Sequence, residues 1–133
     1  MDLYTFLRDR LADDKTVAEA HQQWSPHWYY DHAACEIRDR DNHGTVAFVP
    51  GTRDGGHLAR HDPARTLLDI DAKARVVELC AAPLVDVTGI ADPQPVVVPG
   101  EGSPWAPDVL RLLALPYADH PDYDPTWAPA MGR

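Results

Sequence analysis

No apolar run in the chain approaches the roughly 20 residues that a membrane helix requires, so no membrane segment is expected. The opening, Met1-Asp2-Leu3-Tyr4-Thr5-Phe6, is neither basic nor followed by a long apolar stretch, which argues against a secretory signal. Cysteine is scarce. Cys35 and Cys80 alone, in 133 residues, read most simply as reduced thiols of a cytoplasmic protein, although one disulfide is within their reach. Basic residues are outnumbered, 12 Lys and Arg against 21 Asp and Glu, giving a net charge of −9. A field of that sign works against nucleic acid and anionic membranes unless a local basic patch offsets it. The nearest approach to one is Arg38 and Arg40, interrupted by Asp39 and followed by Asp41. There is no Gly-x-Ser-x-Gly, no phosphate-binding loop and no dinucleotide fingerprint. Gly51 and Gly55-Gly56 lack the lysine and spacing that phosphate binding needs. These absences weigh against an enzyme and leave no cofactor to expect.

What is present suits one domain with a modest core. Hydrophobic residues make up 44% and charged residues 25%, near the globular average. Leu3, Phe6, Leu7, Leu11, Val17 and Ala18 recur at helical spacing and predict a first helix over 2–22, with Asp2 as its cap and Ser25-Pro26 beyond its end. Residues 33–38 and 45–49 predict a strand pair around the turn 39–44, in which Cys35 and Ile37 alternate with Glu36 and Arg38. Residues 28–31 are available as a third strand. Pro50-Gly51 and Gly55-Gly56 mark a loop. A second long helix is predicted over 63–81, with Leu67, Ile70, Ala74 and Val77 inside, widened by Leu68 and Cys80, and Pro83 as its stop. Pro83, Gly89, Pro93, Pro95, Pro99, Gly100 and Gly102 punctuate a long connection in which Val96-Val97-Val98 forms an edge strand or lies extended. A third helix starts at Ser103 or Asp108, carries Leu110, Leu112, Leu113 and Leu115, and ends at Pro116. The rest is acidic, proline-rich and without period. The expectation is an α+β fold: three main helices packed with a small antiparallel sheet or hairpin in a domain over 1–116, and an extended arm over 117–133. One free sheet edge and the apolar Leu110–Leu115 stretch leave a homodimer open.

The most informative segment is His57-Leu58-Ala59-Arg60-His61-Asp62-Pro63-Ala64-Arg65. Asp62 suits a helix N-cap, and Pro63 suits the first helical position, where its missing N–H costs nothing. His57 and His61, four residues apart, share a face if they make a helical turn. They would then be the start of a zinc site, with Asp62, Cys35, Cys80 or His120 as further ligands. A zincin would carry glutamate where Leu58 stands. The plainer reading is a turn that starts a helix. The aromatics Trp24, Trp28, Tyr29 and Tyr30 read either as a stacking surface for a small ligand or peptide, or as a lid on a small core. Tyr123 and Trp127 in the tail, with Tyr117, are anchors for docking on the same chain or on a neighbour. Asp119, Asp122 and Asp124 beside His120 match no calcium loop and read as a solvated acidic tail.

The stretch His57 to Leu68, followed by Asp71-Ala72-Lys73-Ala74-Arg75, resembles a signature of an uncharacterised family of small proteins from Streptomyces-type actinobacteria and their phages. Val109-Leu110-Arg111-Leu112-Leu113-Ala114-Leu115-Pro116-Tyr117-Ala118-Asp119-His120-Pro121 resembles its closing signature, and Leu3 to Ala20 fits its opening helix. A broader similarity is to phage accessory proteins of the early-region type, which carry Pro-Gly-Pro-Trp where this chain has Trp24-Ser25-Pro26-His27-Trp28. The resemblance implies the order of elements and a mobile-element setting, with no activity attached. The leading expectation is therefore a non-enzymatic binding or interaction protein, an accessory factor whose partner is another protein or a small ligand. One alternative is a metal module or metal-dependent enzyme on His57 and His61. Another is a small-ligand or nucleotide binder, which needs a pocket between the aromatic segment and the His57 turn.

Overall fold

In the computed structural model, residues 1–81, 84–99 and 104–130 are described. Pro83 as a helix stop and Ser103 as a helix start lie outside them. The chain divides into two compact units, Leu11–Ala72 and Met1–Arg10 with Lys73–Arg133. Two long helices contribute to both units.

The first of these helices, α1, spans Leu3–Gln22. Asp2 caps it as expected: its Oδ1 accepts the Thr5 N–H at 2.7 Å. Phe6, Leu7, Leu11 and Ala18 are buried, as the spacing requires. Val17, placed with them from sequence, is 70% exposed. It sits one position from Ala18, about 100° further round the helix.

Within Leu11–Ala72, β1 (Trp28–Asp31), β2 (Glu36–Asp39) and β3 (Thr45–Phe48) form an antiparallel meander in the order β1-β2-β3. The third strand at 28–31 is thus real. In register, Tyr30 faces Ile37 and Ile37 faces Ala47, and the β2–β3 ladder shifts between Ile37 and Arg38. Ile37, on the central strand, is the sheet's fully buried side chain. Each turn is built by an aspartate. Asp31 Oδ1 accepts from the N–H groups of Ala33 and Ala34, and Asp39 Oδ1 from those of Asp41 and Asn42. Cys35, expected inside a strand, closes the first turn with φ 55°. The strand starts one residue later because that left-handed residue cannot continue the ladder.

The glycine-bearing segment expected as a loop is a helix, α2 (Thr52–Arg60), so the described residues hold four α-helices, one more than the three main helices expected. Gly55 is buried in it: a Cβ there would overlap the ring of Tyr30. Tyr30 and α2 pack face to backbone, which only glycine permits. Next comes α3 (Pro63–Cys80), close to its predicted span. Ile70, Val77 and Cys80 are buried, but Leu68 is 73% exposed, two positions from Ile70 and so about 200° round the helix.

In the other unit, β4 (Leu84–Asp86) pairs antiparallel with β5 (Val97–Pro99), so Val97 and Val98 of the expected Val96–Val98 stretch lie in a strand, with a partner not foreseen from sequence. The last helix, α4, spans Ala106–Ala114, with Asp108 in its first turn rather than at its cap. Its α-helical part ends before Pro116, and a 3₁₀ turn, Leu115–Tyr117, follows. The tail, expected as an extended arm, winds through a second 3₁₀ turn, Pro125–Trp127, capped by Asp124. Its rings close around Phe6, which is fully buried. The centroids of Tyr117, His120, Tyr123 and Trp127 lie 6.3, 5.7, 5.9 and 5.1 Å from that of Phe6. Docking on the same chain is therefore the fate of these anchors. Arg10 reaches the His120 ring, and Tyr4 donates to Glu78 at 2.8 Å, which raises the Tyr4 phenol pKa. Cys35 and Cys80 are free thiols, and burial raises the pKa of Cys80. No described helix is long and apolar enough to cross a membrane.

Candidate functional site

The pocket that the small-ligand reading required exists. A cleft of about 410 Å³ in the Leu11–Ala72 unit is lined by β1 (Trp28, Tyr29 and Tyr30), by His32 and Arg40, by α2 (Gly56, Ala59 and Arg60), and by Asp62 and Arg65 at the start of α3. That volume falls within the range of small-molecule sites.

Asp62 holds the walls together. Its Oδ1 accepts the Arg65 N–H at 2.9 Å and caps α3, while Oδ2 accepts the Trp28 N–H from β1 at 3.2 Å. The Ala64 N–H donates to the Pro26 carbonyl at 3.0 Å, so the start of α3 is fastened twice, once to β1 and once to the segment before it. The Asp-Pro helix start legible in the sequence thus also positions the aromatic strand. Trp28 is held at three points, with its indole N–H on the Ser25 carbonyl at 2.8 Å and its own carbonyl accepting Arg40 Nε at 3.0 Å. Tyr29 hydrogen-bonds His43 at 3.0 Å. Tyr30 donates to the Val49 carbonyl at 2.6 Å and packs edge-on to His32. Burial, followed by the neighbouring Cys35, raises the Tyr30 phenol pKa, so the group stays protonated and its donor role is fixed.

Three arginines, Arg40, Arg60 and Arg65, line the cleft. Arg65 reaches weakly to the Arg60 carbonyl at 3.3 Å, and the Arg60 side chain has no partner among the described residues. The one carboxylate among the described lining residues, Asp62, already spends both oxygens on backbone N–H groups. The cleft is therefore locally cationic in a chain of net charge −9. No basic cluster appears in the sequence because the three arginines come from three separate segments.

The predicted site residues divide. Trp28, Tyr29 and Tyr30 share the cleft. Trp24 does not; it is 80% exposed and borders a different cavity. Tyr123 and Trp127 belong to the Phe6 cluster. His57 and His61 do come together, with ring centroids 4.5 Å apart and the rings tilted by 43°, and His61 Nδ1 donates to the His57 carbonyl at 2.8 Å. Neither histidine lines the cleft, and among the described residues no group of three His, Cys, Asp or Glu side chains could hold a metal. Arg60, Arg65, Arg40 and His32 escaped the sequence reading. The only signal for the first two was arginine on either side of His61-Asp62-Pro63.

Fold and cleft together define a small α+β protein with a ligand-sized recess walled by aromatic rings and arginines. The chain belongs to the family of unknown function DUF6221, whose sequence profile matches residues 1–129. Both resembling stretches, 57–75 and 109–121, fall inside that span. No curated protein and no solved structure matches the chain.

Proposed function

We propose that this protein is a non-enzymatic binding module whose cleft takes a small organic anion carrying a planar ring. The reading narrows the binding protein expected from sequence to its small-ligand form. The observation that carries it is the convergence of Arg40, Arg60 and Arg65 beside Trp28, Tyr29 and Tyr30, with the only carboxylate already engaged. Guanidinium groups pair with carboxylate or phosphate in a fixed fork geometry, and aromatic walls accept a flat ring. Rigid anchoring of Trp28 and Tyr30 lowers the ordering cost of binding.

Melting in the presence of adenosine 5′-monophosphate, benzoate, inorganic phosphate and adenosine tests this. A ligand that binds only the folded state raises the melting temperature. We expect a rise with at least one ring-bearing anion, a smaller one with inorganic phosphate and none with adenosine, and loss of the effect in Arg60→Ala. No rise with any anion, or a rise indifferent to Arg60→Ala, would overturn the reading.

A further inference from the structure

A second cavity, of about 470 Å³, opens in the same unit. Six of the side chains around it carry the argument: His21, Trp24, Ser25, Asp39, Asn42 and Thr45. Two are the buried polar residues among the described residues, Ser25 at 6% and Asp39 at 4% exposure. Buried polar groups are as a rule satisfied, and each exception asks for a reason. Ser25 is such an exception: its hydroxyl oxygen is buried with no hydrogen-bond partner. It lies next to the Asp39 carboxylate, and that contact is the largest of the causes that hold Asp39 below the usual carboxylate range. Asp39 keeps the hairpin turn through Oδ1, which accepts both the Asp41 and Asn42 N–H groups; neither bond uses Oδ2. Among the described residues no lysine or arginine lines the cavity, so Asp39 is the full charge there, with His21 the other titratable group. At the rim stands Trp24, whose ring is left in water, a costly place for the largest apolar side chain.

We propose that this cavity is a second binding site, for an organic cation. A buried carboxylate with an adjacent hydroxyl oxygen that accepts from no other group takes the N–H groups of an ammonium or guanidinium, and a free indole face covers its charge and its alkyl stem. The site is chemically opposite to the arginine cleft and does not depend on it. The segment from Ser25 to Trp28 serves both: Ser25 lines the second cavity, and its carbonyl accepts the indole N–H of Trp28 in the first. The same chemistry has two sources, a free small amine or a lysine or arginine side chain on a peptide.

The test is a titration of the full chain followed in ¹H–¹⁵N correlation spectra, with butylammonium chloride, with a blocked Ala-Lys-Ala peptide, and with butanol as the neutral shape control. We expect the Trp24 indole signal and the amides of Ser25, Asn42 and Thr45 to shift with a cation and not with butanol. Shifts with butylammonium point to a free amine; shifts with the peptide alone point to a side chain presented by a partner. Asp39→Asn keeps an oxygen for the hairpin turn and should weaken binding about tenfold or more, through loss of a charge-assisted hydrogen bond. Trp24→Ala, at an exposed position that folding does not need, should weaken it about two- to fivefold. No shift with either cation, equal shifts with butanol, or unchanged affinity in Trp24→Ala would overturn the proposal.

Discussion

Two sets of aromatic residues, nearly alike in composition, have opposite fates in this molecule. Tyr117, Tyr123 and Trp127 in the tail surround the ring of Phe6 and pack edge-on or tilted against it. Trp28, Tyr29 and Tyr30 on β1 meet histidines instead, His21, His43 and His32, at centroid distances of 6.2, 5.9 and 5.0 Å. The tail rings form a core. The strand rings are tied by hydrogen bonds at their polar ends and leave half-buried faces toward a cleft. Neighbours decide which of the two an aromatic run becomes: a phenylalanine hub offers only surface to bury, whereas histidine and arginine keep the surroundings wet and polar. The first set is spent on stability, so recognition is to be sought at the second.

The contrast can be broken most forcefully at its hub. Phe6→Ala should cost about 3–5 kcal/mol in urea unfolding, because it removes a fully buried ring that four others touch. A loss below about 1 kcal/mol would mean that the tail rings do not form a core. On the cleft side, Gly55→Ala should cost about 1–3 kcal/mol through overpacking against Tyr30. Its neighbour gives the control. A Cβ at Gly56 meets nothing, so Gly56→Ala should raise stability by up to about 1 kcal/mol from helix propensity alone. Equal effects from the two would remove the evidence that Tyr30 lies on the backbone of α2. Asp62→Ala falls between these, at about 1–2 kcal/mol, the cost of a lost N-cap. The smallest effect is one of pH. The Asp39 carboxyl is held below its ordinary value of 3.8 by Ser25 and by the Asn42 and Asp41 N–H groups. Its contribution is therefore full above pH 3.8 and fades as pH falls through the lowered folded value, since the unfolded chain takes up the proton first. The urea midpoint of Asp39→Asn should accordingly vary less between pH 5 and pH 2.5 than that of the parent protein; identical slopes would contradict the role given to Asp39.

The elements written in periodicity and caps were legible. α1 and α3 follow from apolar spacing plus Asp2 and Asp62, and the meander from alternation broken by an Asp-rich turn. α2 was not, because Gly55-Gly56 argues for a loop to any local reading, and the reason for Gly55 is a ring 25 positions earlier in the chain. Val17 and Leu68 were misplaced because a hydrophobic side chain next to a helical face adds to the pattern without being buried. For the site, adjacency in sequence found Trp28, Tyr29 and Tyr30 and marked the Asp62 turn. It also grouped Trp24 with them, though the fold sends that ring to another cavity. Arg40, Arg60 and Arg65 were invisible as a set, since assembling them takes the tertiary structure.

Asp62 bridges 34 positions of chain to reach Trp28, and everything between them, the whole meander and α2, is enclosed in the loop it closes. Tying such a loop costs chain entropy that grows only slowly with its length, so one well-placed fastening can secure a long stretch. Secreted proteins commonly do this with a disulfide. Here both cysteines are free, and the fastening is a carboxylate that can let go and re-form without any redox chemistry. The aromatic strand and the arginine-bearing turn are thus joined by a polar fastening rather than a covalent one, so its strength depends on the Asp62 carboxylate and not on the redox state of the surroundings.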